Sequence, residues 1–475
     1  MAYKHGVYVS EQKTAITPPA VTEGCLPVIV GVAPIHLASD PAPVNTPVLC
    51  QNYGEAVEQL GYTPNFKNYG IAEAIYTFFA LFAVAPVVFI NVLDPNKHKK
   101  SVSAKSYPVV GKTVTIADDV IKESVKISGL VADTDYTLAY DDNRYLAVSI
   151  NPSSAHASDS ELSISYDAVD PSKVTKQDII GGIDVETGKA KGLEVINDIY
   201  SKLGVVPGQI GAPGFSQDSE VATIMASKAA NVSGVFRAYS VVDVDTTETK
   251  KYSQVNDWKN SNNIVSENQA VVWPMGKLGD KKLHLSTVLM ARQALTTYNN
   301  DDIPYKSPSN EDAKIDGLCL EDGTEVDMTL DNANYLNGLG VITCLNFIGG
   351  WRTWGNRMAC YPANTDPKDA FLCVRAMFNW DHQLTIRTYW QDVDEPLSKR
   401  AIQSIVDSEN IRLNGLVASG VLIAGKCEYR DSDNPTTSII DGLSKLHKTY
   451  VPPVPNRAID FVQEFDADAY KATMA

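Results

Sequence analysis

Two patterns of apolar positions alternate along the first part of the chain. Continuous apolar runs at Cys25–Val32 and Val87–Val92 predict buried strands. Between them, Asn52–Leu60 predicts a short helix, and apolar residues at helical spacing predict a second helix, namely Ile71, Ile75, Phe78, Phe79 and Phe82. Strands that alternate with helices in this way favour a parallel α/β sheet.

The pattern changes at Leu93 to short β-like runs separated by turn residues, and it stays so to about Thr175. The predicted strands are Thr113–Ile116, Val125–Leu130, Tyr136–Tyr140, Leu146–Ile150 and Leu162–Tyr166. This stretch predicts a small all-β domain. Because it interrupts an α/β pattern, we expect it to protrude from the body with both of its ends close together.

The α/β pattern resumes at Gly192. A helix over Leu193–Leu203 is followed by a strand near Gln209–Ala212, a helix that starts after Ser216, and strands at Val232–Val242 and Ala270–Pro274. A further helix comes next, with Leu285, Val288, Leu289 and Leu295 on one side. The two α/β stretches therefore predict one discontinuous doubly wound α/β middle domain, into which the all-β unit is inserted.

A third region follows a loop-rich connector. It predicts a strand at Gly340–Leu345, long helices over Pro367–Trp390 and Pro396–Leu413, and strands within Leu416–Tyr429, which together make an α+β C-terminal domain. Between the first strand and the helices lies the segment GGWRTWGNR. Its glycines predict a tight turn that presents large side chains for packing or for subunit contact: Trp351, Arg352, Trp354 and Arg357.

Both ends of the chain predict extended arms. The N-terminal run GVYVSE is β-prone through Val7, Tyr8 and Val9, and a Pro-containing connector separates it from the core. Near the other end, Pro452, Pro453 and Pro455 form a stiff spacer. A strand-like run comes after them, with Ile459, Phe461 and Phe465 on one face and Val462 at an imperfect position. Such a strand either folds back on its own domain, which is the commoner arrangement, or pairs with another molecule.

These patterns divide the chain into six stretches: an N-terminal arm (1–24), the first part of the middle domain (25–96), the inserted β domain (97–175), the second part of the middle domain (176–338), the C-terminal domain (339–449) and a C-terminal arm (450–475). A subunit with a strand to donate at each end can link itself to two neighbours.

Composition narrows the choice of partners. The formal net charge of −16 argues against a surface for nucleic acid or an anionic membrane, because both need a basic field. The most apolar stretch, Ile71–Val92, is interrupted by Glu73 and Pro86, so we expect no direct membrane insertion. Seven cysteines without paired short spacings indicate reduced thiols.

Catalytic and metal-binding motifs are weak. The run Gly182–Lys189 has the wrong spacing for a phosphate-binding loop. Ser216 lies in a sequence without the second glycine of a nucleophile elbow, and we expect it to cap a helix instead. The histidines are scattered, with no zinc-type spacing. We therefore predict no catalytic residue, no cofactor and no metal.

Several of these segments together resemble the contractile tail sheath proteins of bacteriophages and of phage-tail-like bacteriocins. The resemblance covers most of the chain and rests on GVYVSE, CLPVIVGVAP, NVLDP, GGWRTWGNR and the ending AIDFVQEF. It implies a structural protein, not an enzyme, that forms hexameric rings stacked helically around a tail tube. It also implies that both arms complete the sheet of a neighbouring C-terminal domain.

The same resemblance implies further partners and a location. The partners are other copies of the chain, the tail tube protein, and the baseplate and tail terminator proteins. The location is the tail of a virion or phage-tail-like particle, assembled in the bacterial host cytoplasm. Contraction of the sheath would drive the tube through the target cell envelope.

A second hypothesis comes from the middle domain alone. A doubly wound α/β domain often binds ligands at the carboxyl ends of its strands, so the chain could be a soluble α/β enzyme or ligand-binding module. That hypothesis predicts a monomer or a small closed oligomer whose arms fold back onto their own body.

Overall fold

A computed structural model of the protein describes residues 20–21, 23–141 and 143–474. The predicted N-terminal strand with Val7, Tyr8 and Val9 lies outside the described residues. Of the predicted N-terminal arm, the short strand Ala20–Val21 is described, and it pairs in parallel with Val84–Ala85.

One mixed sheet forms the centre of the body. Among the described residues it has eight strands, with six parallel strands in the middle and one antiparallel strand at each edge. In spatial order the strands are Trp351–Trp354, Val341–Asn346, Gln269–Val272, Tyr239–Asp243, Gln209–Gly211, Pro27–Gly31, Val87–Asn91 and Pro47–Cys50.

The apolar runs of the sequence explain why this sheet lies inside. Every residue of Pro27–Gly31 and Val87–Asn91 is buried, as expected of parallel strands that are covered on both faces. The two strands are neighbours, with Val28 opposite Val88. Both sequence predictions of buried strands are thus confirmed.

Helices cover the two faces of the sheet. They are Tyr53–Leu60, Gly70–Ile75 with its π-helical continuation Tyr76–Phe82, Ile199–Leu203, Ser219–Ala230, Val255–Ser261, Leu285–Tyr298 and Leu330–Gly338. The first begins where the sequence predicts, because the Asn52 side chain accepts a hydrogen bond from the Glu55 amide at 3.0 Å. The predicted apolar stripe from Ile71 to Phe82 is buried throughout.

Residues 99–169 form two three-stranded sheets around a core of their own. Their strands are Lys99–Pro108, Thr113–Ile116, Lys126–Ile127, Tyr136–Tyr140, Leu146–Ile150 and Glu161–Val169. Lys99–Pro108 is absent from the sequence predictions because its side chains are mostly solvent-facing and show no apolar alternation. The Tyr69 hydroxyl of the body donates to Asp119 of this unit at 2.7 Å.

The third region begins later than the sequence suggests. The sequence pattern assigns Val341–Asn346 and Trp351–Trp354 to the C-terminal domain, but both strands extend the main sheet. The first joins it by parallel pairing of Val341 with Val271, and the second pairs antiparallel with the first. The reason is that the apolar run at 341–345 is buried against the main core, which the sequence pattern cannot assign to one sheet or another. The two strands that follow the predicted boundary at residue 339 thus belong to the main sheet.

The remaining helices and strands come after the main sheet in sequence. They are the helices Pro367–Ala370, Leu372–Tyr389, Lys399–Ala418, Thr436–Ile440 and Ala467–Ala472 and the strands Ala424–Tyr429 and Leu446–Val451. The helix predicted to end at Leu413 continues to Ala418, so the following strand starts at Ala424 rather than at Leu416. Small sheets elsewhere contain Gly182–Ile183, Ala190–Lys191, Met275–Leu278, Lys281–His284 and Gly317–Cys319.

Candidate subunit-linking site

Two antiparallel strands near the end of the chain form a ribbon that lies apart from the main sheet. We call Ala424–Tyr429 and Leu446–Val451 the C-terminal ribbon. It packs on the helices Leu372–Tyr389 and Lys399–Ala418 through a small core that includes Met377, Leu413 and Cys427. A two-stranded ribbon is marginal alone, so these helices supply much of its stability.

A buried charge network holds the ribbon on the helices. Lys448 Nζ of the ribbon lies 2.5 Å from Asp381 and 3.2 Å from Glu409. Arg412 bonds the same two carboxylates, whose side chains are only 5% and 4% exposed. Burial alone would raise the pKa of Glu409, but Arg412 and Lys448 lower that pKa to about 2. Glu409 therefore stays ionised, and the network contains two carboxylates and two basic side chains.

One edge of the ribbon is partly closed by its own chain. The Asn410 side chain bonds the backbone N–H and C=O of Cys427, both at 2.8 Å, so these groups point away from the partner strand. Cys427 lies opposite Lys448 in the ribbon. In an antiparallel pair, two opposed residues either bond each other through their backbone groups or both point these groups away from each other. Lys448 therefore also directs its N–H and C=O away from the partner strand.

The other edge is open. The two kinds of residue pair alternate along an antiparallel ladder, so every second residue of a strand has the same backbone orientation. Leu446, Lys448 and Tyr450 therefore present backbone donors and acceptors along the outer side of their strand. In the part of the chain that the structure describes, no strand pairs with that side. Edge strands with unpaired backbone groups are ready to accept another strand.

The chain leaves this ribbon through its prolines. Pro452 is buried, and Pro453 and Pro455 are half-buried, so the spacer packs on the body. Residues 456–466, which we call the terminal segment, are then exposed. Its four large apolar side chains are between 68% and 90% exposed: Ile459, Phe461, Val462 and Phe465. Such a run of exposed apolar side chains is typical of an interaction site.

The strand predicted for the terminal segment is not formed in the single chain. Residues 456–466 have no regular structure and pair with no described strand, so this segment has not folded back as a strand onto its own body. The segment leads into the short helix Ala467–Ala472, whose Tyr470 ring lies 6.2 Å from that of Phe465.

The structure places the residues of GGWRTWGNR beside the main sheet. Trp351 and Trp354 are half-buried on the edge strand, and Trp351 packs against the main core. Arg352 donates from Nη1 to the Asn310 carbonyl at 2.9 Å. Arg357 lies farther along, between the rings of Tyr361 and Phe371. The predicted tight turn is present, because Gly349 and Gly350 have φ angles of 80° and 90°.

A polar cluster occupies the carboxyl ends of the main-sheet strands, where the second hypothesis places a ligand site. Glu73 accepts from the His284 amide and from Thr287, and Asp243 accepts from the Ser286 amide at 3.0 Å. Both carboxylates thus cap the buried helix Leu285–Tyr298. Burial lowers the pKa of His284, but Glu73 outweighs it and raises that pKa to about 9.

The sequence analysis missed this cluster because its members are far apart in the chain. A cavity of about 410 Å³ adjoins it. Ser216 does not cap the next helix, contrary to the sequence prediction. Asp218 takes that position, and the Ser216 hydroxyl instead donates to Asp243 at 3.1 Å. Both carboxylates of the cluster thus have hydrogen-bond partners within the chain, at the start of a helix and on the Ser216 and His284 side chains.

The described residues also bear on membrane and metal binding. In 20–21, 23–141 and 143–474, no helix has the length and apolar character needed to cross a bilayer. Within the same described ranges, no three His, Cys, Asp or Glu side chains are arranged to hold a metal ion. All seven cysteines are free and buried.

The chain is similar in sequence to tail sheath proteins of bacteriophages. The tail sheath protein of Burkholderia phage BcepMu is 25% identical over 482 residues, covering 98% of this chain and 97% of the phage protein. The major tail sheath protein of Serratia phage KSP20 is 25% identical over 316 residues, covering 64% of this chain and 75% of that protein. No protein-family model matches the chain.

Solved structures agree on the fold. A chain of the anti-feeding prophage baseplate matches with a TM-score of 0.58 at 13% identity, over 98% of this chain and 100% of that chain. The contracted sheath of an extracellular contractile injection system matches with a TM-score of 0.57 at 13% identity, over 99% of both chains. The predicted resemblance to contractile tail sheath proteins is thus confirmed, as is the mixed α/β multidomain fold.

Proposed function

We propose that the chain is the structural subunit of a contractile tail sheath. Copies polymerise as stacked hexameric rings around a tail tube, and contraction of the stack drives the tube through a target cell envelope. The observation that carries this proposal is the exposed terminal segment, which comes after a ribbon whose outer edge is unpaired in the described chain.

The terminal segment of one copy pairs with the open edge of the ribbon in a neighbouring copy. In an extended conformation, Ile459, Phe461 and Phe465 lie on one face, which packs on the helices beneath the ribbon. Asp460 and Glu464 then face solvent. Burying each large apolar side chain contributes about 1.5–3 kcal/mol, and the outward backbone groups of the edge strand gain partners.

The N-terminal arm provides a second link of the same kind. We assign Val7, Tyr8 and Val9 to a strand that pairs with the ribbon of another neighbour. A subunit with two donated strands makes head-to-tail contacts, and such heterologous contacts generate helical arrays rather than closed dimers.

This design suits a sheath that contracts. Backbone pairing through the arms survives rotation of the subunits, whereas contacts between the bodies can be exchanged for a more stable set. The stiff proline spacer keeps the donated strand away from its own ribbon. No nucleotide, metal or other cofactor is needed, and we infer that the protein is not an enzyme.

The domain arrangement follows the sequence predictions in outline. We assign a discontinuous doubly wound middle domain (25–96 and 176–338), an inserted β domain (97–175), an α+β C-terminal domain (339–449, with its first two strands joined to the main sheet) and two arms (1–24 and 450–475). Partners are the tail tube, baseplate and tail terminator proteins. Assembly takes place in the host cytoplasm.

A proline substitution tests the link. Phe461→Pro removes an amide N–H from the centre of the donated strand and hinders its pairing. We expect this variant to keep the wild-type thermal midpoint but to remain as single subunits, as seen by light scattering and electron microscopy. The matched control is Asn456→Pro, which extends the spacer before the strand and should assemble. Assembly of Phe461→Pro at the wild-type concentration would contradict the proposal.

A further inference from the structure

Arg357 is held in a pocket of aromatic rings without a carboxylate partner among the described residues. Its guanidinium carbon lies 4.3 Å from the centre of the Tyr361 ring and 3.7 Å from that of Phe371. Its Nε atom is buried, and within the described residues it meets no hydrogen-bond acceptor. The side chain is half-buried, so its terminal nitrogens can still be reached from outside.

Several other shielded cations among the described residues have ion-pair or hydrogen-bond partners. Arg375 lies 3.3 Å from Asp369, Arg412 bonds two carboxylates, and Lys259 donates to two carbonyl groups. Arg357 forms no ion pair with a carboxylate in the described part of the chain, although the full sequence has 57 acidic residues against 41 lysines and arginines. A half-buried arginine without a carboxylate is costly, because its charge is partly desolvated and uncompensated.

A second arginine adds to this cost. Burial lowers the pKa of Arg357, and the nearby charge of Arg457 lowers that pKa further. Arg457 belongs to the terminal segment and is exposed.

The position of Arg357 connects it with the linking site. Phe371, which packs on Arg357, immediately precedes the helix Leu372–Tyr389. On the same helix, Phe378 stacks on Tyr450 of the ribbon's open strand, with ring centres 4.5 Å apart. Arg357 thus contacts the residue that precedes this helix, and the open strand of the ribbon contacts the same helix at Phe378.

We propose that Arg357 receives a carboxylate side chain of a neighbouring copy when subunits assemble. Arg357 presents a planar fork that matches a carboxylate, and the net charge of −16 makes acidic groups abundant on the approaching copy. The aromatic rings hold the guanidinium in place beforehand, which reduces the entropy lost on binding. This inference rests on the proposed self-assembly.

Replacing Arg357 by an uncharged residue tests this inference. Arg357→Met keeps an unbranched apolar side chain between the two rings but cannot bind a carboxylate. We expect the concentration needed for assembly to rise about tenfold, because a shielded charge pair at an interface contributes on this scale. The matched control is Arg144→Met, since Arg144 is an exposed arginine of the inserted β unit. That control should assemble within about twofold of wild type.

The salt dependence of assembly distinguishes a lost charge pair from a change in packing. Wild-type assembly should weaken at high salt more than assembly of Arg357→Met, because the variant lacks the charge pair. Equal assembly of Arg357→Met and wild type at both salt levels would overturn the inference while leaving the proposed function intact. Failure of the wild-type chain to assemble would instead overturn the proposed function.

A second measurement uses the unchanged protein, in case the substitution disturbs folding. An arginine-selective dicarbonyl reagent is applied to free and assembled subunits, and mass spectrometry locates the modified residues. Arg357 should react in free subunits and be protected after assembly. Equal modification of Arg357 in both states would contradict the inference, even if the variant proved unstable.

Discussion

Replacing Lys448 by methionine should release the C-terminal ribbon from its helices. Lys448 Nζ lies 2.5 Å from Asp381, 3.2 Å from Glu409 and 2.6 Å from the Thr385 hydroxyl. Without it, Arg412 alone faces two carboxylates that are at most 5% exposed. Leaving one buried carboxylate uncompensated costs about 3 kcal/mol.

Hydrogen exchange of the ribbon amides measures this cost. A loss of about 3 kcal/mol increases the population of the open ribbon roughly 100-fold, and exchange should accelerate by the same factor. The full chain is used at a concentration too low for assembly. The matched control is Lys426→Met, because Lys426 is 66% exposed and pairs with Glu428 on the surface. Surface pairs of this kind contribute about 0–1 kcal/mol.

A double substitution completes the test. Glu409→Gln in the Lys448→Met background removes the uncompensated charge and should restore much of the protection. Equal exchange rates in Lys448→Met and Lys426→Met would refute the reasoning, since the network would then contribute no more than a surface pair.

Three further outcomes are expected in the body of the protein. The pKa of His284 is raised from 6.5 to about 9, so its ion pair with Glu73 stabilises the folded protein fully below pH 6.5 and is lost as the pH rises through 9. The thermal midpoint of the wild-type protein should therefore fall between pH 6.5 and 9, and it should fall less in His284→Gln. Asn410→Ala removes two bonds to the Cys427 backbone and should speed exchange at that amide by about tenfold. Tyr69→Phe removes the bond to Asp119 and should weaken attachment of the inserted unit by about 1 kcal/mol, seen as faster proteolysis at its connectors.

The sequence was most informative where local pattern and burial agree. The runs at Pro27–Gly31 and Val87–Asn91 are wholly buried, and the alternation at Leu146–Ile150 matches its buried and half-buried positions. The sequence was less informative at Val341–Asn346, because an apolar run does not reveal which sheet it joins. Long-range pairing with Gln269–Val272 decides that point.

In the linking site, too, local features are visible in the sequence and long-range contacts are not. The prolines and the apolar face of the terminal segment are visible in the sequence, and the segment is indeed exposed. The open edge of the ribbon is not visible, because it depends on how Asn410 bonds Cys427 across the fold. The capping cluster of Glu73, Asp243 and His284 was also missed, since tertiary structure alone brings these residues together.

Electron microscopy of the full chain beside a chain ending at Pro455 tests the central claim most directly. This truncation keeps the ribbon and the packed spacer, and it removes the terminal segment together with residues 467–475. The account predicts rings or tubes from the full chain, and folded single subunits with an unchanged circular dichroism spectrum from the shorter one. Identical tubes from both chains, or equally folded single subunits from both, would contradict it.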